Sequence, residues 1–198
     1  MNCEILSVGT ELLLGEIVNL DAQIITRGLN ELGINVFWQS VVGDNPIRLR
    51  EAVDIARSRA ELIITTGGLG PTADDLTKET LAAAFGLPLV TDPVELRRLR
   101  ERMGPKMTDN NLKQADLPQG CTVLVNDWGT APGCAFEAAG KHVIMLPGPP
   151  RECEPLFRHR AMPYLEKLTI ANQDIDSLES LSSLTKLTSL DLSGSRFS

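Results

Sequence analysis

The sequence predicts an α/β domain built on a mainly parallel sheet, and three observations carry that prediction. Short, β-branched apolar runs alternate with segments of helical periodicity through the first 86 residues. Four apolar runs end in a glycine- or proline-marked turn: Ser7-Val8-Gly9-Thr10-Glu11, Val42-Gly43-Asp44-Asn45, Thr65-Thr66-Gly67-Gly68-Leu69-Gly70 and Met145-Leu146-Pro147-Gly148-Pro149-Pro150. The composition is 42% hydrophobic but only 4% aromatic, so the core must be aliphatic, as strands buried on both faces require.

Residues 3–9 form the first strand candidate and end at Gly9. Residues 21–33 place Ala22, Ile24, Ile25, Leu29 and Leu32 close to helical spacing, with Asp21 as N-cap and Gly33 as stop. Residues 35–42 make a second strand. Pro46 opens a helix to about Ser58, with Leu49, Val53, Ile55 and Ala56 inward. Glu61 to Thr66 is the clearest strand, bounded by Gly67-Gly68, and residues 75–85 make a helix stopped by Gly86. This β-α-β-α-β-α order implies parallel strands with helices on both faces.

The second half is less regular. Residues 93–104 read as a helix with Pro93 at its first position. Residues 120–126, 134–139 and 142–146 read as strands, with Gly140-Lys141 turning between the last two. A final helix runs from about Arg151 to Leu165, broken near Pro155 and Pro163. The Leu12-Leu13-Leu14 run before Gly15 is too short for a strong helix and is expected to be a loop.

Residues 169–198 are expected to be an addition to the 1–168 domain. Leu165-x-x-Leu168-x-Ile170-x-x-Gln173-x-Ile175 matches Leu187-x-x-Leu190-x-Leu192-x-x-Ser195-x-Phe197, twenty-two residues later. The tail therefore resembles one and a half leucine-rich repeats, and it is a candidate surface for a protein partner.

Composition narrows the function. The formal net charge of −7 speaks against nucleic acid. The one basic stripe, Arg97-Arg98-Leu99-Arg100-Glu101-Arg102, fits a solvated helix face. Two Trp, one Tyr and five Phe leave few platforms for stacking a base. Cys3, Cys121, Cys134 and Cys153 lack zinc-ligand spacing and read as reduced, as in a cytoplasmic protein. Glu4 in the first strand and the lack of a basic n-region speak against a signal peptide, and no apolar run nears the about 18 residues of a membrane span. His142 and His159 have no partner at ligand spacing.

In an open α/β sheet, ligands bind at the carboxyl ends of the strands, where all four turns belong. Brought together there, Glu11, Asp44 and Asp75 would stand beside glycine backbone N–H groups, which suits a phosphate-bearing ligand with or without a divalent metal. Each acid has a plainer reading as well. Asp75 is equally an N-cap, Asp44-Asn45 an Asx cap before Pro46, and Lys113 a solvated lysine rather than a phosphate contact.

Five motifs in order resemble one family. They are Ser7-Val8-Gly9-Thr10-Glu11 continuing through Asn19, Thr66-Gly67-Gly68-Leu69-Gly70-Pro71-Thr72-x-Asp74-Asp75, Asn111-x-Lys113-Gln114-Ala115, Gly129-Thr130-Ala131-Pro132-Gly133, and Leu146-Pro147-Gly148-Pro149-Pro150-x-Glu152. Over residues 1 to about 168 the chain is similar to the N-terminal domain of the CinA group of the molybdopterin-binding superfamily.

The resemblance implies a three-layer α/β/α fold. It implies metal-dependent hydrolysis of ADP-ribose to AMP and ribose 5-phosphate, or, as in the molybdenum-cofactor branch, molybdopterin binding with two aspartates supporting adenylyl transfer. Asp44 and Asp75 fall on those two positions and are the expected catalytic pair. Leu69, where the wider family has Thr, favours the nucleotide-sugar reading.

The expected ligand contacts are Gly9, Thr10, Glu11, Asn19, Gly67, Gly68, Gly70, Lys78, Lys113, Pro147, Gly148 and Pro149. The expected metal ligands are Asp44, Asp74 and Asp75, holding Mg²⁺, Mn²⁺ or Co²⁺. Relatives self-associate, so a homo-oligomer is expected. A binding module for a nucleotide or pterin, without turnover, is the alternative. The amidase domain that completes CinA proteins is not expected within these residues.

Overall fold

The computed structural model describes residues 1–171. Six strands form the main sheet: β1 (Asn2–Val8), β2 (Asn35–Val42), β3 (Leu62–Thr66), β6 (Thr122–Leu124), β7 (Gly133–Ala138) and β8 (Lys141–Leu146), in the order β2-β1-β3-β8-β7-β6. The first four in that order run parallel; β7 runs antiparallel to β8, and β6, antiparallel to β7, returns to the direction of the first four. Two short strands, β4 (Leu89–Thr91) and β5 (Asp116–Pro118), pair antiparallel in a separate ribbon. The helices are α1 (Thr10–Leu13), α2 (Leu20–Glu31), α3 (Pro46–Arg59), α4 (Thr77–Phe85), α5 (Pro93–Met103), α6 (Asp109–Leu112), α7 (Pro150–Leu156) and α8 (Met162–Ala171).

Alternation along the central strands builds the three layers. Cys3 and Ile5 of β1, Leu62 and Ile64 of β3, and Ile144 and Leu146 of β8 enter one core with Ile25, Leu29 and Phe157. Their neighbours Leu6, Val8, Ile63, Val143 and Met145 point the other way, into a second core with Leu49, Val53 and Leu81. Successive side chains of a strand face opposite sides, so a strand apolar at every position must be covered twice. The edge strand β2 is pinned through a buried charge. Glu4 accepts from Ser40 Oγ at 2.8 Å and from Arg59 Nη2 at 2.7 Å, and Arg59 lies over the Trp38 ring. A carboxylate that is 1% exposed needs such a partner.

The predicted strand–helix alternation of the first half is present, with local differences. The Leu12-Leu13 stretch is helical: α1 is one turn long, and its first N–H, Thr10 N, donates to Asp44 Oδ2. Asn19 rather than Asp21 caps α2, accepting from Ala22 N. Asp75 does not cap α4, which starts two residues later with Leu76 in the cap position. Ile55 faces solvent, because α3 buries only Leu49, Val53 and Ala56. The β7–β8 turn is Ala139-Gly140, both with positive φ, the two-residue turn whose twist matches a hairpin.

The helix break falls between the two prolines. Phe157–Ala161 forms a π-helical turn joining α7 to α8, while Pro155 and Pro163 lie inside those helices. Leu165, Leu168 and Ile170, which open the first leucine-rich frame, lie on helix α8 and not on a repeat strand. The rest of the repeat reading lies outside the described residues.

Candidate functional site

All four strand-end turns open into one cleft of about 490 Å³. Gly9 and Glu11 come from the β1 end, Asp44 from β2, Gly67 to Gly70 with Asp74 and Asp75 from β3, and Pro147 to Pro150 from β8. Asp44 and Asp75 therefore share one rim and one cavity. The remaining wall is formed by Gln114, Thr130, Ala131 and Glu152.

The glycines divide into two kinds. Gly9 N donates to Val42 O and Gly67 N to Leu146 O, so these two amides continue the sheet and offer no donor to a ligand. The N–H groups of Gly68, Gly70 and Gly148 have no partner among the described residues. Gly67 has φ +91°, and a Cβ there would strike the Val8 carbonyl oxygen. At this position the chain needs both the left-handed backbone and the missing side chain.

The carboxylates are held by neighbouring loops. Asp44 exchanges two hydrogen bonds with Thr10, taking Thr10 N at 2.8 Å on Oδ2 and giving its own N–H to Thr10 Oγ1 at 3.1 Å. Asp75 Oδ2 accepts from Thr72 N at 2.9 Å and from the Thr72 hydroxyl. Oδ1 of each aspartate has no hydrogen-bond partner among the described residues. Asp74 is exposed on the cleft rim.

Four expected ligand contacts lie off the cleft wall. Lys78 is 2% exposed, and its ammonium donates to Lys113 O at 2.6 Å and Asp116 O at 2.9 Å. Burial pushes its pKa down. Lys113 Nζ donates to Thr72 O and to Asp75 O, the latter at 2.8 Å. The two lysines thus form a relay that holds the Thr72–Asp75 loop by its carbonyls. Asn19 caps α2 and donates Nδ2 to Ser7 Oγ. Thr10 serves Asp44. In each case the polar atoms are committed to the protein.

The far wall depends on a residue that the sequence did not single out. Asn126 is 5% exposed, and its amide makes four hydrogen bonds. Oδ1 accepts from Trp128 N at 3.0 Å and Gly129 N at 2.8 Å; Nδ2 donates to Ala131 O at 2.8 Å and Glu152 Oε2 at 3.1 Å. Gly129 must lack a side chain, since a Cβ there would overlap the Glu152 carboxylate. Glu152 closes the fifth motif, which is the only sequence signal that pointed to it. Asn126 lies outside every motif.

Among the described residues, no group of three or more His, Cys, Asp or Glu could hold a metal ion. Two carboxylates with free oxygens on one rim nevertheless fit Mg²⁺, which keeps waters and takes ligand phosphates beside one or two carboxylates. Among the described residues, no helix is long and apolar enough to cross a membrane.

Residues 4–167 match the family described as "Probable molybdopterin binding domain". A protein of Acetivibrio thermocellus that carries the competence-damage inducible name is 55% identical over 168 residues, 83% of this chain and 41% of that protein. A CinA-like protein of Dictyoglomus turgidum is 53% identical over 168 residues, with the same coverage. The chain thus spans about two-fifths of the length of these curated relatives. The crystal structure of CinA from Thermoplasma acidophilum, titled as of unknown function, is 36% identical with a TM-score of 0.77, covering 83% of this chain and 97% of that one. The molybdopterin biosynthesis enzyme MoaB from Thermus thermophilus shares the fold at 20% identity and a TM-score of 0.55, over 85% of this chain and 95% of that one. The chain therefore belongs to the molybdopterin-binding domain family, as a CinA-like member.

Proposed function

We propose that the cleft binds the diphosphate of a nucleotide sugar such as ADP-ribose and hydrolyses it with the help of a divalent ion. One observation carries the reading. Asp44 and Asp75, from different strand ends, share a cavity with the unpaired amides of Gly68, Gly70 and Gly148. Backbone donors of this kind suit phosphate oxygens, and Asp44 and Asp75, each with one free carboxylate oxygen, are the residues that would hold a hard cation. When bound, the ion would polarise a phosphoryl oxygen and ease deprotonation of water.

The chain's own part is positional. Thr10 and Thr72 orient the two aspartates, and the Lys78–Lys113 relay fixes the loop that carries Asp75. Attack of water on one phosphorus breaks its bond to the bridging oxygen, which leaves with the other phosphate. The products are AMP and ribose 5-phosphate. The wall is aliphatic and proline-rich, with Val8, Ile17, Leu69 and Ala131 and no aromatic ring. An adenine or pterin would lie against these groups rather than stack.

Incubating the purified chain with ADP-ribose and Mg²⁺, Mn²⁺ or Co²⁺, with AMP release as the readout, tests this. Absence of AMP with every metal refutes turnover. A second reading, binding of a nucleotide or pterin without turnover, draws on the fact that no three-donor metal cluster is found among the described residues. It predicts saturable thermal stabilisation by ligand with no product.

A further inference from the structure

A second cavity of about 360 Å³ lies behind the cleft, between α5 and the loop that follows β6. Thr130 lines both spaces, and Gly129 lines the rear one. Leu99 is the one large apolar group in the wall; the rest is Glu95, Glu101, Arg98, Arg102 and polar loop atoms.

The formal charges in this wall sum to zero, two carboxylates against two guanidinium groups. Another anion would gain little there, and a cation no more. The wall holds no aromatic ring, so a base finds no stacking partner. A hydroxyl group both donates and accepts, and it can use both kinds of wall at once.

The hydrogen-bonding groups also differ in what they have left to offer. All four positions of the Asn126 amide are taken within the loop. Arg98 is held by Asp127 at 2.8 Å and Glu95 at 3.6 Å. Arg102 gives only Nη1, at 3.1 Å to Asp127 O and 3.4 Å to Asn126 O, and has no carboxylate partner among the described residues. Thr130 Oγ1 accepts from Gln114 Nε2 at 3.1 Å, which leaves its own proton to donate. Arg102, Thr130, Glu95 and Glu101 are the groups with capacity to spare.

We propose that this cavity is a sugar lobe: it takes the polyhydroxylated end of a nucleoside diphosphate sugar whose diphosphate lies in the front cleft. The inference rests on the reading of that cleft as a diphosphate site. Arg102 and Glu95 then set specificity for the sugar, and the two aspartates bind what every such ligand has in common.

Calorimetric titration of the full chain with the methylene-bridged, non-hydrolysable analogues of ADP-ribose and of ADP, in Mg²⁺ so that the cation is kept and no turnover intervenes, tests it. ADP-ribose is expected to bind about tenfold tighter than ADP, the equivalent of one or two net hydrogen bonds. Arg102→Gln and Glu95→Gln are each expected to remove about that factor for ADP-ribose while leaving ADP affinity unchanged. Glu95→Gln keeps the side-chain shape, and unchanged ADP binding reports an intact front cleft in either variant. Equal affinity of the wild type for the two ligands, equal weakening of both in the variants, or no binding of either ligand overturns the proposal. Selective ADP-ribose binding without AMP formation under metal would sink the hydrolase reading and leave the sugar lobe standing. AMP formation that Arg102→Gln and Glu95→Gln leave unaltered in KM would do the reverse.

Discussion

The two walls of the cleft are built on opposite principles. The front wall, at the ends of β1, β2 and β3, is made of strand-to-turn junctions, and each acid is steadied by one neighbouring loop. Asp44 leans on Thr10 and Asp75 on Thr72. The rear wall is the irregular loop 126–131 set against Glu152 of α7, and the loop is held by one saturated amide, Asn126. In the front wall neighbouring side chains hold each acid by one oxygen and leave the other free for a ligand. In the rear wall the side chains are spent on making a loop rigid. Loss of a front residue should therefore affect chemistry more than stability, and loss of a rear hub the reverse.

The largest expected effect is at Asp75. Asp75→Asn keeps the size and an acceptor for Thr72 while removing the charge. AMP release from ADP-ribose is expected to fall by about 10²–10³, as when a group acting on developing charge is removed. The melting temperature should change little, since Asp75 is half-buried at a loop. Turnover within threefold of the wild type would end its assignment as a catalytic residue.

Asn126→Ala sharpens the comparison from the other side. It strands two N–H donors, a carbonyl and a carboxylate oxygen in a buried loop, at an expected cost of about 2–4 kcal/mol. Urea unfolding measures the cost, and the affinities for ADP and ADP-ribose should both drop because the loop bounds both cavities. A loss below about 0.5 kcal/mol, the range of ordinary surface substitutions, would show that the loop does not depend on this amide. Gly129→Ala comes next, at about 1–3 kcal/mol, because the added methyl must displace the Glu152 carboxylate.

The same contrast explains what was legible in the sequence. The front wall announces itself because a buried strand followed by glycine and an acid is a local pattern. β1, β2 and β3, their helices and the convergence of all four turns could be read from spacing alone. The rear wall is a matter of partners distant in the chain. Asn126 reads like any loop asparagine until Glu152 is seen beside it. Lys78 and Lys113 read as phosphate contacts because a lysine near glycines looks the same whether its ammonium meets a ligand or two carbonyls. The β4–β5 ribbon was missed because each strand has three residues, and Pro118 in β5 argues against a strand. The π-helical turn at Phe157–Ala161 follows from packing, as Phe157 and Ala161 are wholly buried.

The smallest predicted effect concerns the place where the supports of the two walls meet. Helix α2 hangs from the front wall through Asn19 and Ser7, and it packs on α7, which leads away from the Pro147–Pro150 turn. Asp21 lies between them, 6% exposed and with Oδ1 unpartnered among the described residues. Burial pushes its carboxyl up to about 7; the Cys153 thiol opposes the rise by hydrogen bonding, and Glu154 adds to it. In the unfolded chain the group titrates near its ordinary value of about 3.9. Between these values the folded state holds a proton that the unfolded state has lost. Stability should therefore fall as pH rises from about 4 to about 7 and level off above that. Asp21→Asn cannot ionise, so the variant should lack this slope and exceed the wild type by about 1–2 kcal/mol at pH 8. Urea unfolding at pH 5 and pH 8 reads the difference. Parallel pH profiles for the two proteins would mean that Asp21 is ionised in the fold, and that the junction between the walls tolerates a buried charge without the proton.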